Sequence, residues 1–447
     1  FESRLTDAER MQKMQKLSSL HEETGKAMVY LPADLQKEQN DNLILTGYSS
    51  RHPESFNVTD YFLAGQSQAI GQFPFFKDLG AGVIGCFLGV HFREEVRSKH
   101  GQDMETWLTG HPEKAHSCIV ELMDHPDDML RPYMVVFHGD KVLQAYQHNG
   151  TDFIPCEIEF YSLSLDVFSR NSGILETKMM NTKKAVIAGC GSVGSYAALE
   201  LARSGVGSFL LIDHDTFSYS NICRHQCGVA DVGRYKTLAL ADRIRLINPS
   251  ATVQTRESIV ENTPPQILEA FCGPDAVIIG CADNRQGDLF ACKIAAHYGM
   301  PMISIGFWER AFAGEVFFWI PDDPHMACYN CFTQALGDIS QRESVNRRFY
   351  TTEEDLSQVT FMPGISVDIN FVTNIGTKIV LDILNRNDPN YPPRLIDTLT
   401  QFTLIANTNK KELGGDQADI FSYPLQVTTS IEVEKVAGCK FCNVEEH

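Results

Sequence analysis

Lys183 to Asp215 reads KKAVIAGCGSVGSYAALELARSGVGSFLLIDHD, and this stretch decides the fold. Ala185 to Ala188 is a short apolar β-run. Gly189, Gly191 and Gly194 follow in a G-x-G-x-x-G spacing, and Tyr196 to Arg203 has the pattern of a helix. A second apolar run, Ser208 to Ile212, stops at Asp213. Strand, glycine turn, helix, strand and acid are the nucleotide-binding pattern of a doubly wound α/β sheet. Glycines let the backbone approach phosphates and aim the amides of a helix N-terminus at negative charge. The turn alone does not say which nucleotide.

Downstream, the chain alternates helix and strand. Helices are expected over 234–247, 263–271 and 289–297, the first ended by Asn248-Pro249. Strands are expected over 251–255, 276–279, 302–306 and 314–321. A polar stretch, 333–361, reads as a long crossover or substrate-facing loop, and 364–384 as a long buried helix. Polar groups collect after strand ends: Asp213, Asp215, Asn221, Arg224, Lys236 and Asp283. Asp213 sits where an acid holds ribose hydroxyls. Arg224 and Lys236 are cations suited to phosphates and developing negative charge. Asp283, and with it Asp215, offers hard oxygens to Mg²⁺. Taken singly, each is equally a surface ion pair or a helix cap. Together they fit ATP better than a dinucleotide, because hydride transfer has no need of two carboxylates plus Lys and Arg at the phosphates.

Length and charge bound the rest. At 447 residues two or three domains are expected. A formal charge of −19 argues against general binding to nucleic acid or anionic membrane. No apolar run approaches the roughly 20 residues that span a bilayer. The opening FESRLTDAERMQKMQKL is charged and helical in pattern, so no signal peptide is expected, and the initial Phe1 points to an upstream piece. Of thirteen cysteines, Cys328/Cys331 and Cys439/Cys442 form two C-x-x-C pairs; the other nine are mostly single. That usage fits a thiol-reduced, cytoplasmic protein with one structural metal better than a disulfide framework.

The region before the glycine motif, 1–165, is expected to be an α+β domain for binding or scaffolding, with the second domain over 166–447. Residues 1–25 look helical. GYSSRHPESFNVTDYF, 47–62, has some likeness to the zinc motif of JAB-type peptidases in His52, Ser55 and Asp60. Ser50 replaces the first histidine and the Ser-to-Asp spacing differs, so a solvated loop is the preferred reading. A second G-x-G-x-x-G at Gly80, Gly82 and Gly85 lacks its flanking strands and acid and reads as a packed segment. Residues 134–160 read as three β-runs separated by turns, similar to the closing strands of a degenerate JAB-like module.

Taken in order, GCGSVG, DHD, SNICRH, GRYK, ADN, CYNC and CKFC resemble the signature of the E1/ThiF/MoeB superfamily over 167–442. The resemblance implies a Rossmann-like, mostly parallel sheet and adenylation of the C-terminal carboxylate of a ubiquitin-like protein. The acyl group then passes to a thiol or a sulfur donor. It implies that Gly189, Gly191 and Gly194 shape the ATP loop and that Asp213 holds the ribose. Asp215, Asn221, Arg224 and Lys236 would line the phosphate site, and Asp283 would serve Mg²⁺. Arg170, in FSRN, matches an arginine that reaches across a homodimer to the partner's ATP. Cys328, Cys331, Cys439 and Cys442 match a closed, structural Zn²⁺ site. Implied partners are a ubiquitin-like or sulfur-carrier protein ending in Gly-Gly and an E2-like conjugating enzyme. A bacterial conjugation pathway is the preferred setting.

Departures from the signature carry information. His225 replaces the usual Gln, and Asp288 stands where an Arg is common, with Arg285 expected to supply that charge. No cysteine lies between Cys331 and Cys439, where many thioester-forming members hold the acceptor. Cys190 and Cys281 are expected against the nucleotide and Cys292 in helix core. Cys223 and Cys227 are then the two on an exposed loop, and are carried as candidate acceptors. Four rivals remain: a peptide-modifying adenylyltransferase of the microcin-maturation type, a sulfur-carrier activator of the molybdopterin/thiamin type, an NAD(P)-dependent oxidoreductase, and an inactive scaffold.

Overall fold

Strands β8 (Lys184–Ala188), β9 (Ser208–Ile212), β10 (Thr252–Arg256), β11 (Ala276–Gly280) and β12 (Met302–Phe307) run parallel. β13 (Ala313–Trp319), β14 (Phe402–Ala406) and β15 (Thr428–Ile431) continue the sheet antiparallel. The order is β10-β9-β8-β11-β12-β13-β14-β15, so the sheet is mixed, eight strands wide. This computed structural model describes residues 27–37, 42–51, 54–63, 84–91, 133–138, 141–148, 153–162, 166–282, 284–336, 363–411, 425–426 and 428–442. The chain divides into two compact units, Phe1–Asp166 and Val167–His447.

The inner strands β8, β9, β11, β12, β13 and β14 are apolar and buried at nearly every position because both faces of the sheet are covered there. The edge strands β10 and β15 are largely polar and part-exposed. Alternate residues go to opposite layers. Ala185 and Ile187, Phe209 and Leu211, and Val277 and Ile279 enter one core with α1 (Ser192–Arg203), α2 (Lys236–Ile247) and α6 (Ser366–Asn385). Val186 and Ala188, Leu210 and Ile212, and Ala276 and Ile278 enter the other with α3 (Pro265–Phe271), α4 (Arg285–Tyr298) and α5 (Tyr329–Leu336). Helix α2 ends where Asn248 caps it, its amide bonding the Ile244 carbonyl at 2.7 Å. Strand order reverses beside β8: β9 follows on one side and β11 on the other. Such a reversal opens a crevice beyond the carboxyl ends of the strands.

In the first unit, β1 (Met28–Pro32), β2 (Asn42–Arg51), β3 (Glu54–Leu63), β4 (Ile84–His91), β5 (Tyr133–His138), β6 (Lys141–His148) and β7 (Phe153–Tyr161) form a closed barrel in the order β1-β3-β2-β4-β5-β6-β7. β1 closes it by pairing in parallel with both β3 and β7. The three β-runs of 134–160 are β5, β6 and β7. Residues 47–51 and 54–62 lie in paired antiparallel strands, which corrects the loop reading of 47–62. Alternation of Phe56, Val58 and their polar neighbours suits a strand, and the His and Pro between the runs masked it. Gly85 lies in β4, opposite Gly47. Among the described residues this unit holds strands and one 3-10 turn, Ala33–Lys37, and no α-helix. The expected 1–25 helix, His52, Gly80, Gly82 and most of the 333–361 loop lie outside the described residues.

Candidate functional site

The crevice beside β8 is a cleft of about 310 Å³, the lower end of the size of small-molecule sites. Ala188, Gly189 and Gly191 line it from the end of β8, Ile212 to Asp215 from the end of β9, and Ser258 to Glu261 from the segment after β10. Cys281, Ala282, Asn284 and Gly287 complete it after β11, with Lys236 from the start of α2. All these groups stand after strand ends or at helix starts, which is why residues far apart in sequence meet here.

The glycine turn is built by contact as well as by conformation. Gly189 has φ +102°, and a Cβ there would lie 2.7 Å from the Cys281 carbonyl oxygen. A Cβ on Gly194 would lie 1.9 Å from the Gly189 carbonyl oxygen, where no side chain fits. Gly191 has open space around it and lines the cleft. Between the first two glycines, Cys190 has a fully buried thiol, which burial pushes well above its ordinary pKa. Its backbone is held at both ends. The N–H donates to Asp213 Oδ2 at 2.7 Å, and the carbonyl accepts from His225 Nε2 at 2.7 Å. Asp213 Oδ1 also accepts from the Asp215 amide at 2.8 Å.

Lys236 reaches the cleft because Asp215–Phe217 pairs with Arg234–Lys236. The Phe217 amide donates to the Arg234 carbonyl at 2.7 Å and the Lys236 amide to the Asp215 carbonyl at 3.0 Å. The buried Lys236 ammonium then lies 2.6 Å from Asp215 Oδ2. Partial burial works to raise the Asp215 pKa, but the Lys236 ammonium outweighs it and holds the carboxyl below its ordinary range. Asp213, His214 and Asp215 place three possible metal-ligating atoms within 4.8 Å of one another.

The other expected residues fall as follows. Asn221 caps its own 3-10 turn, its Oδ1 accepting from the Ser218 amide at 2.9 Å, and does not line the cleft. Arg224 is half-buried in the same loop, and Arg170 is exposed in the 3-10 turn Ser169–Asn171; neither is a lining residue. Asp283 lies outside the described residues, between two that line the cleft. Cys281 lines the cleft, and Cys292 is buried in α4. Cys223 is exposed. Cys227 is not: it is 4% exposed, and burial pushes its thiol up to about 12. That corrects the expectation of two exposed thiols; Cys227 packs with Phe217 and Ala239 in a small apolar cluster. Arg285 is also corrected. Its guanidinium ion-pairs with the buried Glu315 at 2.9 Å and lies over the Phe332 ring, so it brings no charge to the cleft. Asp288 is fully buried and accepts from Ser304 Oγ at 2.7 Å.

Sequence reasoning missed Ser258–Glu261 and His214 as lining residues. The first follow the third parallel strand, and the strand-end rule that found Asp213 applies to them as well.

Cys328, Cys331, Cys439 and Cys442 converge at the start of α5. The sulfurs of 328 and 331 are 3.8 Å apart, those of 328 and 439 3.4 Å, and those of 331 and 442 3.6 Å. A Zn–S bond of about 2.3 Å gives a tetrahedron with edges of about 3.8 Å. These spacings match that size and are far too long for disulfides, whose sulfurs sit about 2.05 Å apart. The Val436 amide and Asn330 Nδ2 point at Cys331 and Cys439, at 3.4 and 3.6 Å, as donors do toward thiolate charge. The set fits a zinc ion. Its four sulfurs would fill the coordination shell, so the metal would supply cross-linking and no open position.

Residues 162–411, more than half of the chain, match the model of the ThiF family. The chain is 28% identical over 157 residues to "Ubiquitin-like modifier-activating enzyme 5" of Dictyostelium discoideum, an alignment covering 33% of this chain and 40% of that protein. It is 29% identical over 127 residues to "Adenylyltransferase and sulfurtransferase uba4" of Aspergillus clavatus, covering 28% and 25%. It spans less than two thirds of either relative's length. Among solved structures, E. coli MccB with ATP is similar at 19% identity and a TM-score of 0.44, over 62% of this chain and 74% of that one.

Proposed function

The chain belongs to the ThiF family, and from that premise we propose that it uses ATP to adenylate the C-terminal carboxylate of a small protein. One observation carries this reading: the glycine turn, Asp213 and the Lys236–Asp215 pair share a single cleft at the strand-order reversal. The amides of the α1 N-terminus suit phosphate oxygens, and Asp213 suits ribose hydroxyls. The carboxylate oxygen attacks the α-phosphorus; a P–O bond forms, the bond to the β-phosphate oxygen breaks, and pyrophosphate leaves. Negative charge builds on the phosphate oxygens, where Lys236 and Arg224 would offset it. Lys236 can leave Asp215 for the phosphates at little electrostatic loss, since Asp215 is half exposed and water replaces the ammonium. Asp283 would be the residue to hold Mg²⁺, which neutralises phosphate charge when bound. Arg170 would reach the phosphates of a partner subunit in a homodimer, a role consistent with its exposure.

The substrate follows less directly. A sulfur-carrier protein has better support than a ubiquitin-like conjugate. Adenylyltransferase–sulfurtransferases stand among the relatives, and no cysteine lies between Cys331 and Cys439 to take a thioester. Cys227, buried and protonated, is a poor acceptor; Cys223 remains the exposed thiol of that loop. The ubiquitin-like reading is supported by the similarity to ubiquitin-like modifier-activating enzymes and to a ubiquitin transferase-like protein, and would bring an E2-like partner. Pyrophosphate exchange into ATP decides both levels. Exchange that appears only with a carrier ending in Gly-Gly supports adenylation, and release of that carrier as a thiocarboxylate with a sulfide donor identifies the sulfur branch. A short peptide is the control for the peptide-modifying branch. No exchange with any carboxylate partner would overturn the adenylation reading.

A further inference from the structure

His225 is 7% exposed, and both of its ring nitrogens are committed to backbone groups of opposite character. Nε2 faces the Cys190 carbonyl, which only accepts, at 2.7 Å; Nδ1 faces the Cys227 amide, which only donates, at 3.0 Å. A single species satisfies both: the neutral imidazole with its proton on Nε2. The imidazolium would set an Nδ1–H against the Cys227 N–H. Cys190 is the second residue of the glycine turn, and its own N–H is held from the other side by Asp213. The peptide groups flanking Cys190 are therefore clamped between an acid and a histidine, in the segment that lines the cleft.

We propose that neutral His225 is the positioning residue that fixes the glycine turn, so that order in Gly189–Gly194 follows the His225 proton. On the nucleotide reading above, affinity for ATP follows it too. The groups facing the ring come from each neighbouring element. Lys236, at the start of α2, opposes protonation; the Cys190 carbonyl, Asp213, after β9, and Asp231, in the 3-10 turn Val229–Asp231, favour it. The Phe217 ring meets the imidazole edge-on at 4.9 Å, and the backbone carbonyl of Cys190 and amide of Cys227 complete the surroundings. Burial is the largest influence and lowers the pKa below the ordinary 6.5. Protonation leaves Nε2–H facing the Cys190 carbonyl but sets Nδ1–H against the Cys227 amide, so the ring has to move off that amide and shift against the turn. The clamp is closed at neutral pH and loosened as pH falls through the lowered pKa.

Glutamine supplies the test, since its side-chain amide carries one donor and one acceptor and does not titrate. Hydrogen–deuterium exchange of the Gly189–Gly194 segment, without nucleotide, is measured in the wild type and His225→Gln between pH 7.5 and 5.0. The intrinsic pH dependence of exchange cancels in the comparison. Equal protection is expected at pH 7.5, with the wild-type segment exchanging about tenfold faster than the variant at pH 5.0, the scale of one lost buried hydrogen bond. His225→Ala should be deprotected at both. Superimposed wild-type and glutamine profiles overturn the proposal. Nitrogen NMR of histidine-labelled wild-type protein stands even if the variants misfold. It should find His225 protonated on Nε2 alone at pH 7.5, and a proton on Nδ1 there overturns the proposal. ATP titration separates the two levels: a responsive turn in a protein that binds no ATP leaves the clamp standing and removes the nucleotide reading.

Discussion

At the scale of single residues, the cleft separates groups that shape it from groups that act in it. Lys236 is buried beside Asp215, 2.6 Å away, and lines the same cleft as Gly189 and Gly191. Lys236→Ala should lower pyrophosphate exchange by about 10²–10³-fold, the usual loss for one preorganised charge-stabilising group, with the protein still folded. Lys236→Arg should recover only part of it, since the wider guanidinium keeps charge but not the position. Exchange rates at saturating ATP, with melting temperature as the fold control, check both. The glycines give the opposite signature. Gly194→Ala drives a methyl into the Gly189 carbonyl, 1.9 Å away, and should cost about 1–3 kcal/mol as overpacking does. Gly191→Ala meets nothing and should melt with the wild type, losing nucleotide binding alone. Thermal melts of the two variants side by side distinguish these outcomes.

At the scale of elements, the legible parts were those where local chemistry and packing agree. Ala185–Ala188, Ser208–Ile212 and Ala276–Ile279 were recognisable because strands covered on both faces must be apolar throughout. Strand order was not readable from any one strand. It depends on which side of β8 each crossover returns to, and pairings such as Ala185 with Val277 set it only in three dimensions. The three antiparallel strands on the far edge went unrecognised as one sheet for the same reason. Cys227 was misread because a polar loop sequence hides a small apolar cluster beneath it. The four tail cysteines were legible because paired C-x-x-C spacing is itself geometric. They join α5 to the last strand's tail, more than a hundred residues on. One zinc per chain is expected by elemental analysis. Cys439→Ser should lower zinc content and the melting temperature together, while Cys223→Ser, on an exposed thiol far from that cluster in sequence, should change neither.

At the scale of the whole molecule, buried and paired groups set how stability depends on pH. His225 has a lower pKa folded than unfolded, because burial opposes its charge. Its contribution is complete above the unfolded value of about 6.5 and is lost as pH falls toward the folded value, because the unfolded chain takes up the proton first. Asp215, Asp231 and Asp275 are also held below the ordinary 3.8. For Asp215 and Asp231, burial is outweighed by Lys236 and by the Gly228 amide with Arg243 and Arg234 respectively. For Asp275 the Lys183 ammonium, 2.7 Å away, is the main cause. Their contributions are complete above the unfolded value and are lost as pH falls through the folded ones. Asp368, raised by burial, works the other way. Melting temperature should therefore hold near neutrality, decline below pH 6.5, and fall again below about pH 4. His225→Gln should remove the first decline and leave the second. Calorimetry across pH 3–8 on both proteins tests this; a single acid transition, shared by both, would assign all of the loss to the carboxylates.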